Sequence, residues 1–451
     1  MTAAAPPRPD TAGPRPPGPS GTAWGHLARY LRDPLGTLDR LAAEHGDVAY
    51  LRFPGGHDFF FVSDPALIRR VLVDDQRLFV KGRALQAAKR LLGEGLLTSE
   101  GAEHLHRRRL IQPLFHRVRI EAYAADMVAA AEDRAGRWHD GAVVDLNREM
   151  TELALAIVGR TIFDADVESE APEIREVLEA GMRVFHRFLM PGAWLLWRLP
   201  LPATRRFDAA RRDIDAFLHR LIAERRAQPG RHTDLLALLL EVGADGGEAM
   251  SSEEVRDEAV TLMLAGHETT AQALTWCWYL LASNPEAEAA LHSELDRVLG
   301  GRPPGAADLD RLPYTRAAFA EALRLYPPVW ALARLAIAPY ELAGYAVPPG
   351  AAVVMSQWVV HRDGRHFADP TRFAPDRWLD GRPAPAAYFP FGGGSRICVG
   401  ERFAAMEGAL VLATIASRWR PRPMLAEPVT LDPRFTLRPR GGMPARLERV
   451  R

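Results

Sequence analysis

Apolar and polar residues recur along this chain with two different periods, and these periods predict its main elements. Between Ala102 and Arg226 most apolar residues recur at helical spacing, with Arg and Glu between them, which predicts amphipathic helices. From Val48 to Val62 apolar and polar residues alternate around Pro54-Gly55-Gly56, which predicts a β-hairpin. Short apolar runs from Tyr340 to Met355, and again near the C-terminus, predict small sheets. We therefore expect a fold that is mainly α with minor β.

One predicted helix is much longer than the others. Ser251 and Glu254 have the spacing of a capping box at its start. The helical pattern continues to about Ser283, and Asn284-Pro285 then begins another helix. A helix of about thirty residues is far above the usual length in globular proteins, so we expect it to cross the whole molecule.

Composition narrows the class of protein. The chain has 451 residues, 47% of them hydrophobic, and a formal net charge of +0. It is long enough for one large domain, and its balanced charge gives no reason to expect a nucleic-acid partner. Its 2 cysteines, Cys277 and Cys398, exclude a disulfide scaffold and favour a reducing compartment such as the cytoplasm.

The first twenty residues differ from the rest of the chain. Residues 1–20 are rich in Pro, Ala and Gly, which predicts a disordered arm. They contain no apolar run of the length of a signal peptide or a membrane anchor. The longest apolar run elsewhere, from Phe188 to Trp197, is predicted to be either a buried helix end or an apolar lip at a substrate entrance.

The most informative segment lies near the C-terminus. Residues 391–400 place Cys398 after three consecutive glycines and just before a predicted helix that begins at Glu401. So many glycines cost backbone entropy unless the turn has a special conformation. A thiol surrounded by backbone N–H groups at a helix N-terminus is biased toward thiolate. Cys398 is therefore a candidate metal ligand or nucleophile, and an inert buried cysteine is the alternative.

A second motif, residues 265–270, lies in the middle of the long helix. Ala265 and Gly266 remove side chains from one helix face, and a Thr can bond to the carbonyl one turn earlier and bend the helix. A groove flanked by the Glu268 carboxylate and the Thr269 hydroxyl would suit a small diatomic molecule and a proton path. The alternative is a close crossing of another helix, with Glu268 in a structural ion pair.

A third motif and a fourth supply charged residues ahead of the cysteine. Glu321 and Arg324 lie on one face of a helix that Pro327 ends. Arg377 lies in a proline-containing turn, residues 373–378. If the three side chains met, they would fix the region before the cysteine loop; the alternative is a surface ion pair of little energetic value.

Together, these four motifs in this order resemble the haem-thiolate monooxygenases, the cytochrome P450 superfamily, from about Leu35 to Leu447. The resemblance implies one domain over residues 21–451, haem b as the cofactor and Cys398 as the thiolate ligand of its iron. It implies that Phe391 packs near the sulfur and that Arg396 reaches a haem propionate. The further cofactor-binding residues that it implies are His104, Arg108, Ala265, Arg334 and Gly400.

The resemblance also assigns roles to the other motifs. Glu321, Arg324 and Arg377 match the structural triad of the family, which acts on folding and haem retention. Glu268 and Thr269 match the acid–alcohol pair that relays protons to dioxygen, although the family more often has Asp at the acid position. If the helix register near residue 104 slips, Arg107 and Arg109 are alternatives to Arg108.

The implied reaction is the hydroxylation or another oxidation of a lipophilic small molecule in bacterial specialised metabolism. We expect a terpenoid or a fatty acyl compound first, and a polyketide or macrolactam second. About fifty residues follow Cys398, too few for a flavin domain, so electrons are expected from a separate ferredoxin and its reductase. They would dock near the cysteine loop, with Arg402, Arg107 and Arg109 as candidate contacts on a monomeric enzyme. The predicted pocket is mostly apolar and includes Leu262, Val329, Trp330, Leu332, Phe435 and Thr436.

Three other functions compete with this interpretation. A peroxide-dependent oxidase or a hydroperoxide isomerase would keep the haem, but such relatives often lack the acid–alcohol pair that is present here. A non-catalytic haem-binding protein would show no spin-state response to any lipophilic ligand. A haem-free cysteine enzyme would give no red-shifted Soret band with carbon monoxide.

Overall fold

The computed structural model describes residues 13–164, 202–228, 230–231, 234–241, 250–379, 381, 386–424 and 429–450. Helices dominate these residues and four small sheets accompany them, so the predicted fold class is confirmed. The apolar run from Phe188 to Trp197 lies outside the described residues. The α-helices are α1 (Ala23–Arg32), α2 (Pro34–His45), α3 (Pro65–Arg69), α4 (Arg83–Leu92), α5 (Gly101–Ile111), α6 (Arg117–Ala122), α7 (Ala124–Gly136), α8 (Leu146–Phe163), α9 (Pro202–Ala227), α10 (Leu235–Glu241), α11 (Ser252–Ala282), α12 (Pro285–Leu299), α13 (Pro313–Leu325), α14 (Gln357–Val360) and α15 (Glu401–Ala416).

The largest sheet has five strands in the order β1-β2-β8-β5-β3, and only the β2–β8 pair among them is parallel. The predicted hairpin forms its edge, with a turn in which Gly55 and Gly56 have φ of 76° and 70°. The other sheets pair β4 and β9 with β12, β6 with β7, and β10 with β11. The strands are β1 (Val48–Phe53), β2 (His57–Val62), β3 (Phe79–Lys81), β4 (Val143–Asp145), β5 (Leu332–Ala336), β6 (Tyr340–Leu342), β7 (Tyr345–Val347), β8 (Ala352–Met355), β9 (Trp419–Pro423), β10 (Leu431–Pro433), β11 (Leu437–Pro439) and β12 (Pro444–Arg449).

The long helix α11 begins and ends within one residue of its predicted bounds. The capping box is present, since the Glu254 amide donates to the Ser251 hydroxyl and the Ser251 amide donates to the Glu254 carboxylate. Most residues of α11 are buried on every side. A helix that is apolar all round belongs in the interior of a large domain, so α11 is a central element against which the others pack.

Small residues fix where helices cross the interior. A Cβ added to Gly266 on α11 would lie 3.0 Å from the Val158 side chain on α8. A Cβ added to Gly408 on α15 would lie 2.2 Å from the Phe319 ring on α13. Both crossings therefore depend on the missing side chain, and they place α15, which follows the cysteine, against the rest of the core.

Part of the proline-rich N-terminal arm packs against the large sheet. The Pro17 carbonyl accepts a hydrogen bond of 2.9 Å from the Tyr50 amide of β1. A Cβ on Gly18 would lie 1.9 Å from the Tyr50 carbonyl oxygen, so the arm approaches this strand closely. The disorder predicted for residues 1–20 thus does not apply to residues 17–18. For residues 1–12, which lie outside the described part, it stays a prediction.

None of the helices in the described part of the chain is both long enough and apolar enough to span a membrane.

Candidate active site

The loop before α15, which holds Cys398, has a backbone conformation that depends on its glycines. Gly392 and Gly394 have φ of 76° and 68°, a region that other residues rarely adopt. A Cβ on Gly394 would lie 2.0 Å from the Leu72 carbonyl oxygen. The Cys398 amide donates to the Phe391 carbonyl at 2.9 Å, which closes the loop. The special backbone conformation expected from the sequence is present.

Opposing effects act on the charge of the Cys398 sulfur. The Cys398 side chain is exposed in this structure. Desolvation by the surrounding loop raises the pKa of the Cys398 thiol, while the Gly400 amide and the Arg108 guanidinium oppose this rise. A metal ion bound to the sulfur would favour the thiolate further, and the expected thiolate stays a prediction.

Two arginines attach the cysteine loop to the region around α5. Arg108 Nη1 donates to the Ile397 carbonyl at 2.5 Å. Arg396 Nη1 donates to the Ser99 carbonyl at 2.7 Å, and its other terminal nitrogen pairs with the Glu100 carboxylate. Arg108 thus supports the residue before the cysteine, and its predicted propionate contact stays a prediction.

The basic residues assigned to the propionates lie together. Arg334 is 8% exposed and His104 only 3%. Burial lowers the pKa of His104 to about 3, and Arg396, Lys81, Arg108 and Arg334 add to this effect. Burial and the nearby Arg396 lower the pKa of Arg334 to about 10. An anionic group between these residues would favour their protonated forms and offset this lowering of the pKa values.

Lys81 belongs to this cluster, although the sequence reasoning missed it. It is 5% exposed, and its ammonium donates to the carbonyls of Leu96 and Leu97. Burial, and then the Arg396 charge, lower the pKa of Lys81 to about 6. Lys81 ends β3, and no local pattern in the sequence points to it, because its approach to the segment before α5 depends on tertiary folding.

Arg107 does not face the surface or the propionate cluster. It is 4% exposed, and its guanidinium contacts Glu103, Glu254 and the fully buried Glu258. Its candidate roles as a propionate contact and as a docking contact for a ferredoxin are therefore wrong. The pair joins α5 to α11, and the Leu96 amide donates to the same Glu258 carboxylate at 2.9 Å.

Glu321, Arg324 and Arg377 meet in the interior. Arg324 donates to both carboxylate oxygens of Glu321 at 2.8 Å, and Arg377 Nε donates at 2.9 Å. The Trp378 indole and the Ala374 amide donate to the same carboxylate at 2.9 and 3.0 Å. Glu321 and Arg324 are fully buried, so the alternative of a surface ion pair is excluded.

On α11, the acid and the alcohol have different partners. Thr269 Oγ1 donates to the Ala265 carbonyl one turn earlier at 2.7 Å. Glu268 is 5% exposed and accepts from the Thr436 hydroxyl at 2.6 Å and from Arg438 at 2.8 Å. A weaker bond of 3.4 Å comes from Gln272. Every donor that the structure records for Glu268 meets Oε1, and Oε2 is left to accept or release a proton.

The structure agrees with part of each interpretation of this motif. Gly266 lies at a helix crossing and Glu268 forms an ion pair with Arg438. The hydroxyl bond of Thr269 to the helix is also present, as the groove hypothesis requires. Arg438 on β11 was not found from the sequence, because its partner lies 170 positions earlier in the chain.

The predicted pocket residues separate into two groups. Leu262 and Phe435 pack in one apolar cluster that also includes Leu96 and Leu264, and Val399 next to the cysteine joins it. This cluster therefore connects the cysteine loop, α11 and the turn before β11. Leu332 also approaches the loop, since its Cδ1 would lie 3.6 Å from a Cβ on Gly392.

Two of the predicted pocket residues have other tasks. Trp330 is 9% exposed and belongs to the core between α2 and the large sheet, with Leu38 and Phe59. Thr436 is fully buried, and its hydroxyl is bound to Glu268. Both side chains therefore have structural contacts, and their roles in the pocket stay predictions. Val329 is half-buried next to Trp330, and its role stays a prediction.

Glu407 on α15 was missed by the sequence reasoning. It is fully buried, and both carboxylate oxygens lack a hydrogen-bond partner in the described part of the protein. Burial raises its pKa well above the usual range, against the effect of the neighbouring Thr270 side chain. Glu407 is therefore a buried acid between α15 and α11 whose surroundings favour the protonated form. The signal was a single charge inside the apolar run that follows Phe403.

A family model decides between the remaining interpretations. The model described as cytochrome P450 matches residues 14–444 of this chain. The chain belongs to the cytochrome P450 family. Membership identifies the protein as a haem-dependent monooxygenase that takes O2 and electrons from a redox partner to oxidise a lipophilic molecule. The haem predicted from the cysteine motif is confirmed.

Three proteins similar to this P450 come from Streptomyces species. The chain is 41% identical over 419 residues to cyclooctatin synthase of Streptomyces melanosporofaciens, covering 92% of this chain and 91% of the relative. It is 38% identical to cyclooctat-9-en-7-ol 5-monooxygenase of the same species, covering 94% and 92%. It is 37% identical to pentalenene oxygenase of Streptomyces avermitilis, covering 92% and 91%.

A solved structure has the same fold. The crystal structure of the cytochrome P450DA haem domain superposes on this P450 with a TM-score of 0.87. The two share 27% identity, and the match covers 97% of this chain and 98% of the other.

The residues of this P450 fit a haem. Basic groups at His104, Arg334, Arg396 and Lys81 lower one another's pKa in the protein alone, and two propionates would supply the missing negative charge. Cys398 supplies one soft ligand for iron. Charge and ligand type therefore agree with a group that is anionic at one edge and has a metal at its centre.

Proposed function

We propose that this P450 hydroxylates a terpenoid. The apolar cluster around Leu262 and Phe435 suits a hydrocarbon scaffold, since such pockets are mostly apolar with few polar groups. The names of two relatives, pentalenene oxygenase and cyclooctat-9-en-7-ol 5-monooxygenase, support the same substrate class. We place the protein in the cytoplasm of its cell and expect it to act as a monomer.

The observation that carries the mechanism is the arrangement of Glu268 and Thr269 on α11. Haem bound to a thiolate supplies the activation of O2 and its cleavage, which consumes two electrons and two protons for each hydroxyl group formed. Glu268 receives protons at Oε2 while Thr436 and Arg438 hold Oε1. Thr269 hands a proton on through its hydroxyl, which the Ala265 carbonyl orients.

The haem-binding role is distributed over three parts of the chain. Cys398 binds the iron, and Phe391 and Gly400 flank its sulfur; Ala265 leaves room on the α11 side. His104 and the buried arginines bind the propionates, with Lys81 as a further cation. The arginines concerned are Arg108, Arg334 and Arg396. Because His104, Arg334 and Lys81 are buried, they would exclude water from one edge of the cofactor.

Electrons are proposed to come from a ferredoxin with its reductase. The cysteine loop contacts α5 through Arg108, and Arg109 on α5 and Arg402 on α15 are both exposed. An acidic ferredoxin would be steered to such basic side chains, and mutation of a rim charge changes mainly the association rate. Arg107, which is buried, is excluded from this surface.

The substrate proposal is tested by ligand-induced spin-state shifts. Purified holoprotein is titrated with a cyclic terpene, a linear fatty acid of similar carbon number and a macrolactam. We expect the terpene to give a saturable low-spin to high-spin shift at the lowest concentration. A shift with the fatty acid or the macrolactam alone would overturn the terpenoid assignment and leave the monooxygenase function intact.

The roles of Cys398 and Thr269 need separate variants. Cys398→Ala should lose the red-shifted Soret band of the reduced carbon monoxide complex. Thr269→Ala should consume electrons and release peroxide with little product, whereas Thr269→Ser, which keeps the hydroxyl, should stay coupled. Full coupling in Thr269→Ala would remove the hydroxyl from the proton path.

A further inference from the structure

His361 is a fully buried histidine between α13 and the segment that leads to the cysteine loop. Its main-chain carbonyl accepts from Arg324 Nη1 at 2.6 Å. Its ring Nδ1 lies 3.3 Å from the Arg324 carbonyl, and the Phe389 amide donates to its Nε2 at 3.1 Å. The imidazole thus contacts the Arg324 backbone on one side and the chain before the cysteine on the other, while the His361 carbonyl contacts the Arg324 side chain of the Glu321–Arg324 pair.

These two contacts determine which ring nitrogen carries the proton. A backbone N–H can only donate, so Nε2 must offer a lone pair to Phe389 and Nδ1 must carry the hydrogen. Nδ1–H then donates to the Arg324 carbonyl, and both ring nitrogens are satisfied. Burial, with the charges of Arg324 and Arg362, lowers the pKa of His361 to about 3. The ring is therefore neutral, as the bond from Phe389 requires.

From Phe389 the hydrogen bonds continue to the ligand. The Phe389 carbonyl accepts from the Gly392 amide at 3.0 Å, which closes the turn. Within that turn, the Phe391 carbonyl accepts the Cys398 amide at 2.9 Å. The backbone position of Cys398 thus depends on a turn whose first N–H group is bound by His361.

Aromatic rings around His361 keep water away from this contact. The ring centroids of Tyr388 and Phe389 lie 5.2 and 5.4 Å from that of His361, and that of Phe367 lies 6.3 Å away. Phe389 itself is 6% exposed. If the imidazole were removed, the Phe389 amide would have no water to replace it, and a buried unpaired donor makes the turn move to find a partner.

We propose that His361 is a positioning residue for the haem ligand: it transmits the fixed geometry of the Glu321–Arg324 pair to the turn that aims the Cys398 sulfur. The inference rests on Cys398 being the iron ligand. Without the His361 contact the sulfur shifts, its bond to iron weakens, and a larger share of the protein carries a protonated or displaced thiol.

Three variants of His361 test the roles of its two ring nitrogens separately. Gln places an amide oxygen near the position of Nε2 and can still accept from Phe389. Asn is shorter, reaches only the Arg324 carbonyl and loses the acceptor. Phe keeps the ring and removes both bonds. His292→Phe is the matched control, because His292 is also a buried histidine, 7% exposed, but bonds to Arg420 away from the loop.

Two measurements report on the sulfur and on the turn. The first is the fraction of the red-shifted Soret band in the reduced carbon monoxide complex, per bound haem and after purification of folded protein. The second is hydrogen exchange of the peptide 386–398, which needs no cofactor. Exchange of this peptide in His361→Phe and His361→Asn should be about tenfold faster or more, the effect of losing one buried hydrogen bond.

In the spectra, His361→Phe and His361→Asn should lose most of the red-shifted band, while His361→Gln and His292→Phe keep it. If Phe and Asn variants that bind haem keep the full band, the proposal is overturned. If His361→Phe does not fold, the Asn–Gln comparison still decides, because equal spectra for these two overturn it as well. A wild-type protein without the band would instead overturn the assignment of Cys398.

Discussion

Two buried carboxylates, Glu321 behind the cysteine loop and Glu268 on α11, are held in opposite ways. Glu321 accepts from two arginines, an indole and a backbone amide, and both of its oxygens are used. Glu268 accepts only side-chain donors, and those that the structure records all meet one oxygen. Both oxygens of Glu321 are therefore occupied by donors, whereas one oxygen of Glu268 stays open.

The difference separates support from chemistry. A carboxylate with every lone pair occupied by charged and neutral donors has no capacity to move a proton, and its removal leaves buried arginines unpaired. A carboxylate bound at one oxygen can exchange a proton at the other, and its donors set how readily it does so. The first should control stability and haem retention, and the second should control turnover.

The largest expected effect is on the saturated carboxylate. Glu321→Gln leaves Arg324 and Arg377 without a countercharge and should lower the free energy of unfolding by about 3–5 kcal/mol, with loss of haem retention. Urea unfolding and haem content measure it. Glu288→Gln breaks a pair with Arg422 that is partly exposed and should cost about 1 kcal/mol or less. Equal losses in the two variants would contradict the comparison.

Substitution of Glu268, the carboxylate with an open oxygen, should affect turnover much more than stability. Glu268→Gln should slow product formation by about a hundredfold, because proton delivery of this type contributes roughly that much, with only a small change in stability. Product, electron consumption and peroxide release are measured together. Glu268→Asp keeps an acid and should recover part of the rate. Wild-type coupling in the Gln variant would show that Glu268 is only a structural partner of Arg438.

The pH dependence of the free energy of unfolding tests whether His361 is neutral in the folded protein. His361 has a folded pKa of about 3, whereas an unfolded histidine binds a proton below about 6.5. Between these values the unfolded state binds more protons, so stability falls as the pH falls, by at most about 1.4 kcal/mol per pH unit. His361→Gln should unfold with a shallower dependence from pH 6.5 to 4. Parallel curves for wild type and variant would mean that His361 is already protonated.

The smallest expected effect concerns the donors of Glu268. Thr436→Val keeps the volume and removes one hydrogen bond, worth about 1 kcal/mol, and should change the coupling of electrons to product by a few fold. Thr414→Val is a suitable control, since that buried hydroxyl donates only to the Leu410 carbonyl of its own helix. Coupling that changes equally in both variants would remove Thr436 from the control of Glu268.

Local sequence patterns predicted much of this fold. The capping box at Ser251 and the hairpin at Gly55–Gly56 need only neighbouring residues, and both are confirmed. The meeting of Glu321 with Arg377 was predicted by resemblance, since 56 positions separate them. The pairing of Glu268 with Arg438 was not predictable, because it depends on how a C-terminal turn folds back onto α11.

The differences between expectation and structure have a common physical cause. Arg107 was assigned from its position near a motif, but its side chain points to buried carboxylates. The N–H groups around Cys398 were considered alone, while desolvation by the surrounding loop raises the pKa of its thiol. Motif spacing gives the backbone location, and only packing gives the direction and the surroundings of a side chain.

The bonds from Thr436 and Arg438 to Glu268 also constrain how this enzyme can change. The same turn carries Phe435, whose side chain belongs to the apolar wall. A mutation that reshapes this turn to fit a different scaffold, or to oxidise a different carbon, changes the hydrogen bonds that hold Glu268 at the same time. The choice of product and the coupling of O2 consumption to product formation are therefore linked in this enzyme. A directed-evolution library should vary residues 435–438 together and be screened for peroxide leakage as well as product.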